Sequence, residues 1–283
     1  MPVTSRTLKR GMSGPDVAEL QRLLTRAGHT VPDVGSFGPI TDRALREYQA
    51  EHGLVSDGVA GPRTMARLTG QPTSDLPAVE IWGVDVAEFN SPDYAALAAA
   101  GCAFAVLRAM TGSDSKGVMR ADAKFATHLA GFERVKIPVV GAYGWIVASR
   151  SGVEQARLMR SVCDGLDIWK SVDHEPAKGA VFRDPAGATN AAVGFAREVE
   201  CTGRRCVVYT APYALASAPL PALGDRPLWL AHPGLSHWPA PPAPWPVVSL
   251  WQCGYVDPDV PDAKKIDKNV FRGTLADLRK AMG

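Results

Sequence analysis

The spacing of apolar positions changes character near residue 80. Before it, apolar side chains recur at helical intervals. Val17, Leu20, Leu24 and Ala27 share one face of a helix predicted over Pro15 to Ala27, with Gly28 as its stop. A second helix is predicted from Pro39 to near Gly53, presenting Ile40, Ala44, Leu45 and Tyr48, and a short third from Pro62 to about Leu68. One repeated element opens both: Gly35-Ser36-Phe37-Gly38-Pro39-Ile40-Thr41 returns as Gly58-Val59-Ala60-Gly61-Pro62-Arg63-Thr64. Each copy of this G-x-x-G-P-x-T reads as a tight turn, with Gly as N-cap and Pro at the first helical position. Residues 1–70 therefore form a small three-helix module. The polar, proline-punctuated stretch 71–79 reads as a linker.

From Ile81 onward, short apolar runs alternate with helical patterns. Strands are predicted at Trp82–Val86, Ala103–Arg108, Ile137–Tyr143, Ile168–Asp173, Arg205–Tyr209, Pro227–Ala231 and Val247–Trp251. Helices fit Pro92–Ala100, Ala121–Phe132, Gly152–Cys163 and Pro185–Glu200. Repeated β-then-α units imply a mostly parallel sheet. About eight strands in roughly 200 residues favour closure over an open sheet. The fold class is α/β: an irregular β/α (TIM-like) barrel over residues 80–283, preceded by the helical module. Chemistry in such barrels sits at the C-terminal strand ends, where Asp85, Tyr143, Asp173 and Glu175 fall.

Composition narrows the classes. The chain has 283 residues, 46% of them hydrophobic and 21% charged, enough for two cores. A net charge of +2 is too mild to point to nucleic acid as a partner. The most apolar stretch, Ala95 to Met110, is broken by Gly101 and Arg108 and is too short for a bilayer, so no membrane insertion is expected. No apolar stretch follows the basic N-terminus, so no signal peptide is expected. The five cysteines match no zinc spacing and read as isolated thiols suited to a reducing compartment, a Cys201–Cys206 pair being the lesser alternative. The histidines lack paired ligand spacing, so neither metal nor cofactor is expected.

The candidate chemistry lies in Val172-Asp173-His174-Glu175-Pro176. On a strand, alternation puts Asp173 and Glu175 on one face and His174 on the other, as a packed or hydrogen-bonded histidine. Two carboxyls about 6–7 Å apart repel, so one keeps its proton near neutral pH. Such a pair suits glycoside hydrolysis. D-x-E is common, however, and a solvated strand end or a metal-binding edge fits it too. Asp85 is unusual inside an apolar run, because a buried, unpaired carboxylate is costly. Asp267, in a charged stretch, reads as a solvated loop residue.

Longer motifs add two resemblances. Leu8-Lys9-Arg10-Gly11, Gly14-Pro15-Asp16-Val17, Leu20-Gln21-Arg22-Leu23-Leu24, the doubled G-P-x-T turn and Tyr48-Gln49 resemble the peptidoglycan-binding domain of cell-wall hydrolases. That implies wall anchoring, with Asp57, Gly58 and Arg63 as groove candidates; turn chemistry explains each equally well. Gly83-Val84-Asp85-Val86, Phe104 to Gly112, Gly141-Ala142-Tyr143-Gly144-Trp145, Val172-Asp173-His174-Glu175, Val208-Tyr209-Thr210, Leu228-Trp229-Leu230-Ala231, Leu250-Trp251-Gln252 and Asp267-Lys268-Asn269 resemble, in order, the glycoside hydrolase family 25 lysozymes, or muramidases. This resemblance implies Glu175 as general acid and then base, its pKa raised by Asp173. It implies an ionised Asp173 stabilising the cationic intermediate, the substrate's N-acetyl group as nucleophile, and Asp85 and Asp267 completing the site. Tyr143 would bind the N-acetyl group, and Trp145, Trp229, Trp251 and Tyr209 are further substrate-binding candidates. Gly144 stands where the family has a bulkier residue, which is expected to alter the cleft wall.

The expectation is a peptidoglycan hydrolase cutting the β-1,4 bond from N-acetylmuramic acid to N-acetylglucosamine. A wall binder with a degenerate barrel and a chitin-type N-acetylhexosamine hydrolase are the alternatives. The layout suggests a bacteriophage endolysin: a monomer held in the host cytoplasm and dependent on a separate holin-like protein for access to the wall. The segment Pro239 to Pro246 is expected to be a stiff surface loop.

Overall fold

The computed structural model describes residues 7–52, 54, 58–70, 79–113, 116–176, 181–256, 260 and 265–282. It divides into two compact units, Met1–Ala78 and Val79–Gly283. The expected linker at 71–78 and the groove candidate Asp57 lie outside the described residues.

The first unit holds helices α1 (Pro15–Arg26), α2 (Pro39–Glu51) and α3 (Pro62–Thr69). Gly14 and Gly61 are the N-caps of α1 and α3, each followed by the proline that opens the helix. Leu8, Val17, Leu20, Phe37, Leu45 and Tyr48 are buried together. Ile40, expected on the packed face of α2, is instead exposed; Thr41 takes the buried position beside it.

Two buried glutamines explain why Thr41 is inside. Gln21 Nε2 donates to Ser36 O (2.9 Å) and Thr41 Oγ1 (3.0 Å), while its Oε1 accepts from the backbone of Val34 and Gly35. Gln49 repeats the pattern on the second turn. It donates to Val59 O (3.0 Å) and Thr64 Oγ1 (3.3 Å) and accepts from Gly58 N (3.0 Å). The sequence repeat is thus a repeated device, in which a helix-borne amide satisfies a turn that would otherwise bury unpaired backbone groups.

The second unit is a closed barrel. In chain order it holds β1 (Glu80–Val86), α4 (Tyr94–Ala99), β2 (Phe104–Ser113), β3 (Val118–Ala121), α5 (Phe125–Arg134), β4 (Val139–Trp145), α6 (Gly152–Val162) and β5 (Trp169–His174). Then come α7 (Pro185–Glu200), β6 (Cys206–Thr210), α8 (Pro212–Ser217), β7 (Leu228–Ala231), β8 (Leu250–Tyr255), β9 (Asp267–Arg272) and α9 (Leu275–Met282). The strand order is β1-β9-β8-β7-β6-β5-β4-β2, closed by β1 against β2, and β3 hairpins onto β2. Neighbours from β1 through β2 and β4 to β8 run parallel, whereas β9 is antiparallel to both β8 and β1. That reversal is the barrel's irregularity. It brings the first residue of β9 to the mouth where the parallel strands end.

Alternation sorts the side chains into two cores. Phe104, Val106, Trp169, Val207, Trp229 and Phe271 fill the barrel. Ala105, Leu107, Val172, Val208 and Leu230 face the helix layer. Gly141 is required inside, because a Cβ there would enter the ring of Trp169. The proline-rich loop is anchored: Trp245 is buried, and its Nε1 donates to Arg226 O at 3.1 Å.

Candidate active site

The inward positions at the mouth carry polar groups where lower positions carry apolar ones. β1 contributes Asp85, β5 Asp173, and the next inward position beyond β5 is Glu175. β9 contributes Asp267, paired across the ladders with both Asp85 and Tyr255. All four acids line one cleft of about 830 Å³, together with Tyr143, Trp145 and Tyr209. Asp267 is therefore a strand residue of the cleft, because β9 runs backwards, and not a solvated loop residue.

Each acid has its own surroundings. Asp85 Oδ2 accepts from Gln252 Nε2 (2.9 Å) and Asn269 Nδ2 (2.8 Å). Burial raises its pKa to about 6 against those two donors. Glu175 Oε2 accepts from Tyr213 Oη at 3.1 Å. Burial pushes Glu175 up to about 7, with the Tyr213 bond opposing and Asp85 adding to the rise. Burial, then repulsion from Asp85 and Glu175, takes Asp267 to about 8.

Asp173 Oδ1 is buried without a hydrogen-bond partner among the described residues. Burial, then the charges of Glu175 and Asp85, hold its carboxyl well above the usual range. The causes differ from those expected: burial and Asp85, not Asp173, raise Glu175, and Asp173 is itself raised. His174 points out of the cleft, its ring tilted at 39° against Phe182 with centroids 4.7 Å apart and its Nδ1 3.3 Å from Thr210 Oγ1.

The aromatic candidates divide. Trp145 lines the cleft and donates from Nε1 to Glu175 O at 2.9 Å, fixing the backbone that carries the acid. Tyr209 donates to Gln252 Oε1 at 3.0 Å beside Glu175. Trp229 forms the floor. It meets Tyr143, Trp169 and Tyr209 edge to face and donates to Asn269 Oδ1 at 2.7 Å, so it offers no free ring face for a sugar. Trp251 is not in the cleft, since alternation on β8 turns Leu250 and Gln252 inward and Trp251 out against Trp238. The rings exposed at the rim are instead Phe89 (72%), Tyr255 (62%) and Tyr213 (52%), all on the cleft lining.

Gly144 does not shape the wall either. A Cβ there would meet Met110 Cγ at 2.8 Å and Phe195 at 3.3 Å, on the helix side of the sheet. In the first unit, Gly58 serves its turn, with φ +69° and no room for a Cβ beside Asp42 and Arg46. Arg63 is half-buried on α3. Among the described residues, no three His, Cys, Asp or Glu side chains form a metal site.

Gln252, Tyr213, Arg108, Phe89 and Tyr255, which line the cleft, and Asn269, which holds Asp85, escaped the sequence reading. Gln252, Asn269 and Arg108 sit inside quoted motifs, and inward alternation on their strands could have flagged them. Tyr213 carries no pattern, because α8 supplies it from outside the sheet.

Comparison with known proteins bears on both units. Residues 13–68 match the family described as "Putative peptidoglycan binding domain". A probable N-acetylmuramoyl-L-alanine amidase of Bacillus licheniformis is 36% identical over 78 residues, 26% of this chain and 22% of that protein. The zinc D-Ala-D-Ala carboxypeptidase of Streptomyces albus G is 32% identical over 90 residues, 31% of this chain and 35% of that protein. The chain thus spans 22% and 35% of the length of these two curated relatives.

Among solved structures, a family GH25 lysozyme from Aspergillus fumigatus superposes with TM-score 0.60 at 21% identity, covering 72% of this chain and 100% of that one. The barrel has the GH25 lysozyme fold. A bacterial lysozyme from Streptomyces coelicolor gives TM-score 0.57 at 22% identity, over 74% and 99% of the two chains. The CTP1L endolysin gives 0.52 at 17% identity, over 71% and 69%.

Proposed function

We propose that the barrel hydrolyses the β-1,4 bond from N-acetylmuramic acid to N-acetylglucosamine in bacterial peptidoglycan, and that the helical unit holds the protein on the wall. The observation that carries this reading is the convergence of Asp85, Asp173, Glu175 and Asp267 in one cleft, with Glu175 raised to about 7. A carboxyl with that value is protonated often enough to donate and acidic enough to act as a base afterwards.

Glu175 protonates the glycosidic oxygen and then, as carboxylate, activates water. Trp145 and Tyr213 hold it in place. Positive charge growing on the sugar favours the ionised form of Asp173, whose proton passes to water, and the carboxylate then stabilises that charge. Asp85, held by Gln252 and Asn269, and Asp267 bind or orient the ring. The match of residues 13–68 supports the wall-binding role. Joined to a glycan-cleaving barrel, it fits an endolysin that reaches the wall after a holin-like protein opens the membrane. Glu175→Gln tests the assignment: lysis of purified walls falls about 10²–10⁴-fold while wall binding is kept. An unchanged lytic rate removes Glu175 from its role.

A further inference from the structure

Arg108 is the one cation among the described residues lining the cleft. Alternation along β2 turns it inward at the mouth, in register with Tyr143. It is 5% exposed. Its Nε donates to Asp122 Oδ2 at 2.7 Å, Nη2 lies 3.3 Å from Glu88 Oε1, and the Phe89 ring caps the guanidinium at 5.0 Å. These contacts fix the planar fork. Nη1 has no acceptor among the described residues, so a nearly buried arginine keeps donors unused at the wall of a substrate cleft.

The other acid–base side chains in that wall are carboxyls and phenols, none of which offers an acidic substituent a positive charge. Only Arg108 does. The two aminosugar classes weighed for this cleft differ at one position. Chitin has a hydroxyl at C3, whereas muramic acid has an ether-linked lactyl group ending in a carbonyl. We propose that Arg108 Nη1 receives that lactyl carbonyl oxygen, either as a free carboxylate or as the amide that begins a peptide stem. The proposal rests on the muramidase reading and assigns its specificity to one side chain.

The test is a tryptophan-fluorescence titration of the full chain in a Glu175→Gln background. All seven tryptophans lie between Trp82 and Trp251, so the signal reports on the barrel and not on the helical unit. The probes are a muramic acid-containing tetrasaccharide with free lactyl carboxylates, the same glycan bearing peptide stems, and chitotetraose. Arg108→Gln weakens binding of both lactyl glycans about tenfold or more, the free carboxylate most, and changes chitotetraose less than about twofold. Arg108→Lys keeps a cation for Asp122 but loses the second donor face. It shows the same selective loss and decides the matter should the glutamine variant fail to fold. Unchanged binding of lactyl glycans, or equal loss on chitotetraose, overturns the proposal while leaving the muramidase reading intact. Absence of new muramic acid ends from the wild-type protein overturns both.

Discussion

Removing the hydroxyl that Tyr213 gives to Glu175 moves the pH at which the cleft loses its acid. The bond is 3.1 Å long and favours the ionised carboxyl, so it restrains the rise that burial imposes. Hydrogen bonds to charged groups contribute about 1.5–3 kcal/mol. Tyr213 is 52% exposed. Water therefore replaces much of the lost bond, leaving roughly 1 kcal/mol. About 1.4 kcal/mol corresponds to one pKa unit, so Tyr213→Phe raises Glu175 by roughly half a unit to one unit. Glycoside cleavage needs this carboxyl protonated, and activity falls as pH rises through its pKa. The alkaline limb of kcat/KM therefore moves upward by the same amount. The assay is dye release from labelled, purified walls between about pH 4 and 9. Phenylalanine keeps the ring at the rim, so KM at low pH stays near the wild-type value. An alkaline limb that stays in place or moves down refutes the coupling.

Two further outcomes follow from the same geometry. Phe89→Ala or Tyr255→Ala raises KM several-fold with little change in melting temperature, because each removes a stacking face of about 0.5–1.5 kcal/mol. Trp251→Ala does the reverse: it costs about 3–5 kcal/mol of stability with KM unchanged for the folded fraction. Equal effects of the three on KM would contradict their placement. Between about pH 6.5 and 8, the barrel's thermal midpoint, read by tryptophan fluorescence, falls by a few degrees. Glu175 and Asp267 hold protons there that the unfolded chain has released, so stability declines with rising pH. His128 and His174, whose folded values are lowered, act oppositely but finish near pH 6.5, the ordinary histidine value. A midpoint that rises across this window contradicts the buried-acid account, and Asp267→Asn flattens the fall.

Much of this architecture was readable from periodicity. The predicted helix over Pro185–Glu200 has the same bounds as α7, because its proline start and continuous amphipathic pattern are local signals. Most predicted strands differ from those observed by one to three residues at an end, and β2 runs five residues further than its prediction. β9 was missed because Asp267-Lys268-Asn269 alternates polar groups on both faces; its inward face serves the cleft and its outward face carries Lys268 over Trp82 at 5.3 Å. Trp251 was misplaced for a related reason. A motif identifies a strand end, but only register decides which of two adjacent residues faces the cleft. Tyr213 depends on contacts that α8 makes when the chain closes, which no local spacing records.

Cleavage on the reducing side of N-acetylmuramic acid through Glu175 is what we propose for this cleft. Its most direct test digests purified peptidoglycan with the wild-type protein and with Glu175→Gln, reduces the new ends with borohydride, and identifies them by mass spectrometry. The account predicts reduced muramic acid ends from the wild type and almost none from the variant. Reduced glucosamine ends, or free peptide amines with no new sugar ends, would contradict it.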